Sequence, residues 1–263
     1  MPGNLVSATL RRGLYTRVVG KRILFFQELG STMDEAARQA AAGAAQGTVV
    51  VAEMQRASRG RLGHSWVSQP GNLYLSVLLY PAIPDLSYLN SLGGVAVARA
   101  ISKTIGRPAR LKWPNDVLLA GKKAAGILVE SAINGDSVRH AIIGIGINVS
   151  LDTNNIEELS SFATSLNAVA EREVPRGELL GHLLHQLDAL YLQLRRGQTP
   201  LAEWQGLLDT LGQRVRVSWQ DESYIGLAEG VDSTGNLQLR LDNGRLVTLT
   251  AGDVTLQPAS AVS

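Results

Sequence analysis

The chain has 263 residues, 45% of them hydrophobic, and its 25 Lys and Arg against 23 Asp and Glu leave a formal charge of +2. That length buries one large core or a large and a small one, and so even a balance excludes a general nucleic-acid or membrane surface, leaving any electrostatic function local. The absence of cysteine excludes disulfides, thiolate metal sites and thiol chemistry, and no stretch reaches the ~18 uninterrupted apolar residues of a membrane span; a soluble cytoplasmic protein is expected.

In chain order, ILFFQEL at 23–29 reads as a strand, and GSTMDEAARQAAAG after it as a helix, with Thr32 and Glu35 spaced as a capping box and Gly43 placed to end it. GTVVVAEMQ and GNLYLSVLLY are further strands, the second apolar enough to be buried on both faces. DLSYLNSLGGVAVARAISKTIGRP has helical spacing and stops at Gly106. ARLKW, a PND turn, VLLAGKKAAGILVE as a hairpin around Ala120 and Gly121, and HAIIGIGINVS make the centre strand-rich.

From Pro175 a long amphipathic helix gathers Leu180, Leu183, Leu184, Leu187, Leu190, Tyr191 and Leu194 on one face and ends at Gly197; a shorter helix follows Thr199 and Pro200. Past about residue 210 the rhythm changes to short strands and tight turns, with Asn243-Gly244 a strong hairpin signal. The division expected is 1–210 and 211–263, the second part a small β-barrel.

Between the second and third strands lies RASRGRLGHSW, residues 56–66. Its nearest carboxylates in sequence are Glu53 and Asp85, so nothing local neutralises the arginines. Either they are a solvated surface loop, or they await an anion that glycine-flanked backbone can approach and guanidinium forks can bind. In KWPNDVLLAGKKAAGILVE, Lys122 and Lys123 cannot both face inward, because side chains alternate along a strand; the plain alternative is a proline-directed turn with lysines guarding an edge. Asp116 is a candidate to hold magnesium through water. Gly144 and Gly146 lack the third glycine and the following helix of a dinucleotide fingerprint, and Gly121-Lys122 is no Walker loop. His182 and His185 sit on the polar side of a leucine stripe and read as a solvated helix face.

Taken together and in this order, GSTMDEA, AEMQRASRGRLGHSWVS, GNLYLSVLL, KWPNDVLLAGKKAAGILVE, IGIGINVS and ATSL resemble the biotin protein ligases, also called biotin–acetyl-CoA-carboxylase ligases, from about residue 21 to 256. The resemblance implies an α/β (α+β) catalytic domain, a mixed β-sheet with helices mainly on one face related to class II aminoacyl-tRNA synthetases and lipoate ligases, followed by an SH3-like barrel. It implies that ATP and biotin, with Mg²⁺, give biotinyl-5′-adenylate, and that the biotinyl group passes to a lysine of a biotin carboxyl carrier protein or domain.

Carried over by position, the biotin site comprises Ser31, Thr32, Met33, Gln55, Arg59, Gly60, Arg61, Lys123 and Gly126. Ser31, Thr32 and Gln55 take the ureido ring, and Lys123 bridges the biotin carboxylate and the α-phosphate, which turns 123 inward and 122 outward. Arg59, Arg61, Trp66, Lys112, Asn115, Lys123, Asn148 and Phe162 take the nucleotide, with Lys123 and Arg61 catalytic. Ser58, His64 and Met33 depart from the usual pattern. Only thirty residues precede Ser31, too few for the DNA-binding domain of some family members, so a monofunctional enzyme without DNA is expected, with a homodimer left open. A lipoate ligase is the competing enzyme, and a sensor of a phosphorylated ligand the competing non-enzyme.

Overall fold

The computed structural model describes residues 14–63, 65–152, 161–219 and 222–256. Seven strands form the first sheet: β1 (Arg22–Leu29), β2 (Thr48–Gln55), β3 (Leu73–Leu79), β4 (Ala109–Lys112), β5 (Asp116–Leu119), β6 (Lys122–Asn134) and β7 (Ser137–Ile147), in the order β1-β2-β3-β7-β6-β5-β4. β1 and β2 are parallel and every other neighbouring pair is antiparallel, so the sheet is mixed.

Strand alternation sorts the side chains to two faces. Val49, Val51, Leu75, Val77, Ile143 and Ile145 belong to the main core, where they meet α2 (Leu89–Ile105), α3 (Leu166–Ala170), α4 (Arg176–Leu194) and α5 (Leu201–Leu207). Val50, Leu78 and Ile142 point the other way, to a smaller cluster under α1 (Thr32–Ala41). Among the described residues, one face is thus roofed by four helices, and the other carries one helix and is otherwise open.

The helix ends differ in detail from the sequence reading. The N-cap of α1 is Ser31, whose Oγ accepts from the Met33 N–H at 3.2 Å, and Thr32 is already helical. No Thr32–Glu35 capping box forms, because the Thr32 hydroxyl is engaged by Gln55 and Ser76 while Glu35 binds Arg38 and Gln39. Asp85 to Tyr88 lie in a 3₁₀ turn, Ile83–Tyr88, ahead of α2, which ends as expected at left-handed Gly106. The leucine stripe of α4 is buried, and Asp188 beside it accepts the backbone N–H groups of Arg17, Val18 and Val19 at 2.7–2.8 Å, tying the incoming chain to this helix. His182 is not a solvated side chain: its Nδ1 lies 3.0 Å from the Thr104 hydroxyl of α2.

The second sheet holds β8 (Arg214–Trp219), β9 (Glu222–Val231), β10 (Leu237–Leu241), β11 (Leu246–Leu249) and β12 (Asp253–Leu256), antiparallel in the order β11-β10-β9-β8-β12. Asn243-Gly244 turns the β10–β11 hairpin, with Gly244 at φ 82°. Trp113 fastens this sheet to the first: its backbone N–H donates to Thr210 Oγ1 at 2.9 Å and its indole N–H to the Gly235 carbonyl at 3.0 Å.

Candidate active site

On the open face, next to α1, lies a cavity of about 470 Å³. Its floor is made of glycines. A Cβ at Gly144 would lie 2.4 Å from the Met33 sulfur, and at Gly126 and Gly146 it would lie 2.8 and 2.7 Å from the Trp66 indole. The IGIGI of β7, residues 143–147, is therefore a period-two pattern, Ile143, Ile145 and Ile147 toward the main core and the glycines toward the cavity.

One end of the cavity is a cluster of hydrogen-bonding groups. The Thr32 backbone N–H and hydroxyl both donate to Gln55 Oε1, at 2.8 and 3.1 Å, and the Ser76 hydroxyl donates to Thr32 Oγ1 at 2.8 Å. Gln55 Oε1 is thereby fixed, and its amide N–H groups have no protein partner among the described residues. The Ser31 hydroxyl oxygen accepts at the cap and keeps its proton for another acceptor.

The arginine loop forms a hairpin over this floor. Ser58 Oγ donates to the Trp66 carbonyl at 2.6 Å, the Trp66 N–H returns to Ser58 O at 3.3 Å, and Arg59 bridges Ser65. The serine that departs from the usual motif is thus a cross-link of the loop. Arg59, Gly60, Arg61 and Trp66 line the cavity; His64 lies outside the described residues.

The arginines are not all without carboxylates, contrary to the sequence reading. Arg56 pairs with Glu28, and Arg59 with Asp34 of α1 at 2.8 Å and Glu130 of β6 at 3.0 Å. The partners come from elements that only the fold brings near. Glu130 first, and then Asp34, raise the Arg59 pKa against the effect of burial. Arg61 instead donates to Asn115 Oδ1 at 3.3 Å, and burial lowers its pKa against the pull of Asp253 and Asp116.

Lys123, opening β6, points its ammonium to Asp116 at 2.6 Å and 5.4 Å above the Trp66 ring. Lys122 is exposed and outside the cavity lining. The hairpin tip at Ala120 and Gly121, φ 50° and 76°, sets this phase, with a register shift between Val117 and Leu118 opposite. The Lys123 backbone also anchors the far wall: its N–H donates to Phe162 O at 2.8 Å and its carbonyl accepts from Thr164 N at 2.9 Å. Phe162 is 52% exposed at the rim. The buried Asn148 side chain donates to the Thr164 carbonyl at 3.2 Å, so it braces this wall. Lys112 and Asn115 complete the rim with Gly252, just before β12, and with Asp253 and Val254, which start it; sequence reasoning missed all three. No group of three or more His, Asp or Glu that could hold a metal occurs among the described residues.

A slot of this kind, with amide and hydroxyl groups at one end, a flat floor and a lysine at the other, suits an elongated carboxylic acid activated at its carboxyl group, the chemistry of an acyl-adenylating protein ligase. The chain belongs to the biotin/lipoate A/B protein ligase family, which matches residues 28–148, while residues 210–256 match the biotin protein ligase C-terminal domain. It is 37% identical over 249 residues to the bifunctional ligase/repressor BirA of Bacillus subtilis, covering 92% of this chain and 77% of that protein. To the biotin–[acetyl-CoA-carboxylase] ligase of Mycobacterium tuberculosis it is 35% identical, covering 86% of each. The biotin protein ligase of Aquifex aeolicus, solved with biotin and ATP, superposes with a TM-score of 0.74 at 27% identity, over 91% of this chain and all of that one.

Proposed function

We propose that this chain uses ATP to activate biotin as biotinyl-5′-adenylate and transfers the biotinyl group to a lysine of a carboxylase's biotin carrier domain. The observation that carries this reading is the spacing across the sheet. Ser76 on β3 pairs Gly144 on β7, and Gly146, two residues along β7, pairs Gly126 on β6. The Lys123 ammonium lies 5.4 Å above the Trp66 ring that packs on Gly126 and Gly146, so about one to two strand spacings of ~4.8 Å, and two residues of ~3.3 Å along the strand, separate it from the Thr32–Gln55–Ser76 cluster. An extended biotin has that reach, with its ureido group at the donors and acceptors of Ser31, Thr32 and Gln55 and its carboxylate at Lys123. The Aquifex aeolicus relative binds biotin and ATP, and a Leishmania major relative of 27% identity and TM-score 0.59 binds biotinyl-5-AMP.

The resting Lys123–Asp116 pair supports a role for the lysine in holding anions. Its ammonium is held by a carboxylate where the substrate carboxylate and the α-phosphate come to lie, so binding exchanges one anion for another at this lysine. Lys123 then lowers the repulsion between carboxylate and phosphate and stabilises charge in the transition state. Trp66 covers the reacting atoms and excludes water from a labile mixed anhydride. Magnesium on the triphosphate adds charge neutralisation, and Asp116 suits it through water, since Mg²⁺ takes one or two carboxylates with phosphates and retained waters.

The test incubates the chain with biotin, ATP, Mg²⁺ and a carrier domain, and follows adenylate and carrier mass. Failure to form adenylate overturns the proposal, and faster pyrophosphate exchange with lipoate than with biotin would transfer it to the other branch. Lys123→Gln is expected to abolish most adenylate formation while Lys122→Gln leaves it unchanged; equal losses would refute the assignment of faces. The proposal includes action without DNA, checked by sedimentation with and without a duplex, which also reports pairing of two chains.

A further inference from the structure

The cationic side chains facing the cavity differ in their partners. Arg59 is bound to Asp34 and Glu130, and Lys123 to Asp116. Lys112, at the end of β4, lines the cavity beside Asn115 and Arg61, yet it has no ion-pair partner among the described residues.

Its place in the sheet gives it a direction. Lys112 pairs Asp116, Asp116 pairs Gly126, and Gly126 pairs Gly146. At about 4.8 Å per strand, Lys112 stands about 10 Å beyond β6, on the side opposite Ser76 and Thr32. The wall bearing Phe162 and Asn148 is joined to the Lys123 backbone along a third direction, at the start of β6 and the end of β7. Three arms meet at Lys123. One suits the ureido ring and one the nucleoside, and the arm over β5 and β4 ends at a lysine without a carboxylate.

We infer that Lys112 is a catalytic residue that binds the pyrophosphate leaving group, an inference that rests on the adenylate-forming reading of the site. In that step a biotin carboxylate oxygen bonds to the α-phosphorus as the bond from that phosphorus to the α,β-bridging oxygen breaks. The electron pair stays on the bridging oxygen, so pyrophosphate departs with the developing charge and no proton is required. An ammonium at the end of the third arm neutralises that charge, whereas one already paired would have to be released first.

The full-length chain distinguishes this role from others in three assays: adenylate formation, biotin-dependent ATP–pyrophosphate exchange, and carrier biotinylation from supplied biotinyl-5′-adenylate. Lys112→Gln removes a charged contact, so adenylate formation is expected to slow and the KM for pyrophosphate to rise, each by about 10- to 100-fold. Transfer from supplied adenylate, which releases no pyrophosphate, is expected to stay at the wild-type rate, and Lys112→Arg to recover most of the first step. An unchanged KM for pyrophosphate overturns the inference. So does an equal loss of transfer from supplied adenylate, which would place Lys112 at the carrier or in the fold. Wild-type chain that forms no adenylate would instead overturn the reading beneath, irrespective of this variant.

Discussion

At the scale of single residues, the floor of the cavity is decided by what three positions lack. Gly126 and Gly146 leave room for the Trp66 indole, whose N–H is buried without a partner among the described residues. A methyl at 146 would stand 2.7 Å from that ring, a contact that no rotamer of alanine relieves. Gly146→Ala is expected to lift Trp66 and lower biotin affinity by about ten- to a hundredfold, equivalent to the roughly 1–3 kcal/mol of an overpacked contact. Titration with biotin, together with a red shift in tryptophan emission, checks it; wild-type affinity with an unshifted spectrum would show that the floor tolerates a methyl. The sequence shows these glycines but not their purpose, since a pair of glycines two apart reads first as a failed nucleotide fingerprint. It shows equally well that Arg59 is charged. That Asp34 and Glu130 neutralise it is a fact of tertiary folding, because one partner lies on a helix and the other on a strand far along the chain.

At the scale of elements, periodicity is legible and the exact termini are not. Apolar spacing reveals α4 and the alternation of β3, whereas the cap of α1 turns on whether Thr32 spends its hydroxyl on its own helix or on Gln55. The contact between α2 and α4 makes the same point for His182. The Thr104 hydroxyl donates to Ala100 O at 2.7 Å, so its oxygen accepts from a His182 carrying its proton on Nδ1. Burial, and then the neighbouring Lys103 charge, hold the His182 pKa below the usual 6.5, with Glu178 pulling the other way and His185 adding to the depression. The folded chain then binds fewer protons than the unfolded one just below pH 6.5. This contribution to stability is present above that value and is lost as pH falls through the lower, folded value. Carboxylates with lowered pKa, such as Glu35 and Asp232, add their loss only at more acid pH, starting from 4.5 and 3.8. The unfolding midpoint is expected to fall as pH drops below about 6.5 in the wild type and to fall less in His182→Gln. Parallel profiles for the two proteins would remove His182 from the account.

At the scale of the whole molecule, the change of rhythm near residue 210 announces a second sheet, but not that this sheet shares its core with the first. Val215, Val217, Ala228, Leu237 and Leu239 belong to the same buried cluster as Leu111, Trp113 and Trp204. Gly252, Asp253 and Val254 of the second sheet reach the cavity, so the site is whole only while the two sheets stay together. Two sheets with one core have no separate hydrophobic interiors to lose one at a time, and one cooperative unfolding transition follows. Leu239→Ala tests this away from the cavity, because Leu239 is fully buried in β10 and is not among the cavity-lining residues. Removing its side chain costs about 2–5 kcal/mol. If the sheets unfold as one, that cost appears in the whole chain: tryptophan emission, reporting mainly the first sheet through Trp66, Trp113 and Trp204, and far-ultraviolet dichroism shift to the same lower midpoint. Adenylate formation at 25 °C is then expected to persist, since the folded state keeps its geometry. If the second sheet unfolds alone, dichroism shows an early step that tryptophan emission follows only in part, and activity is lost at that step before most of the first sheet melts; that outcome would refute the shared core as the unit of stability.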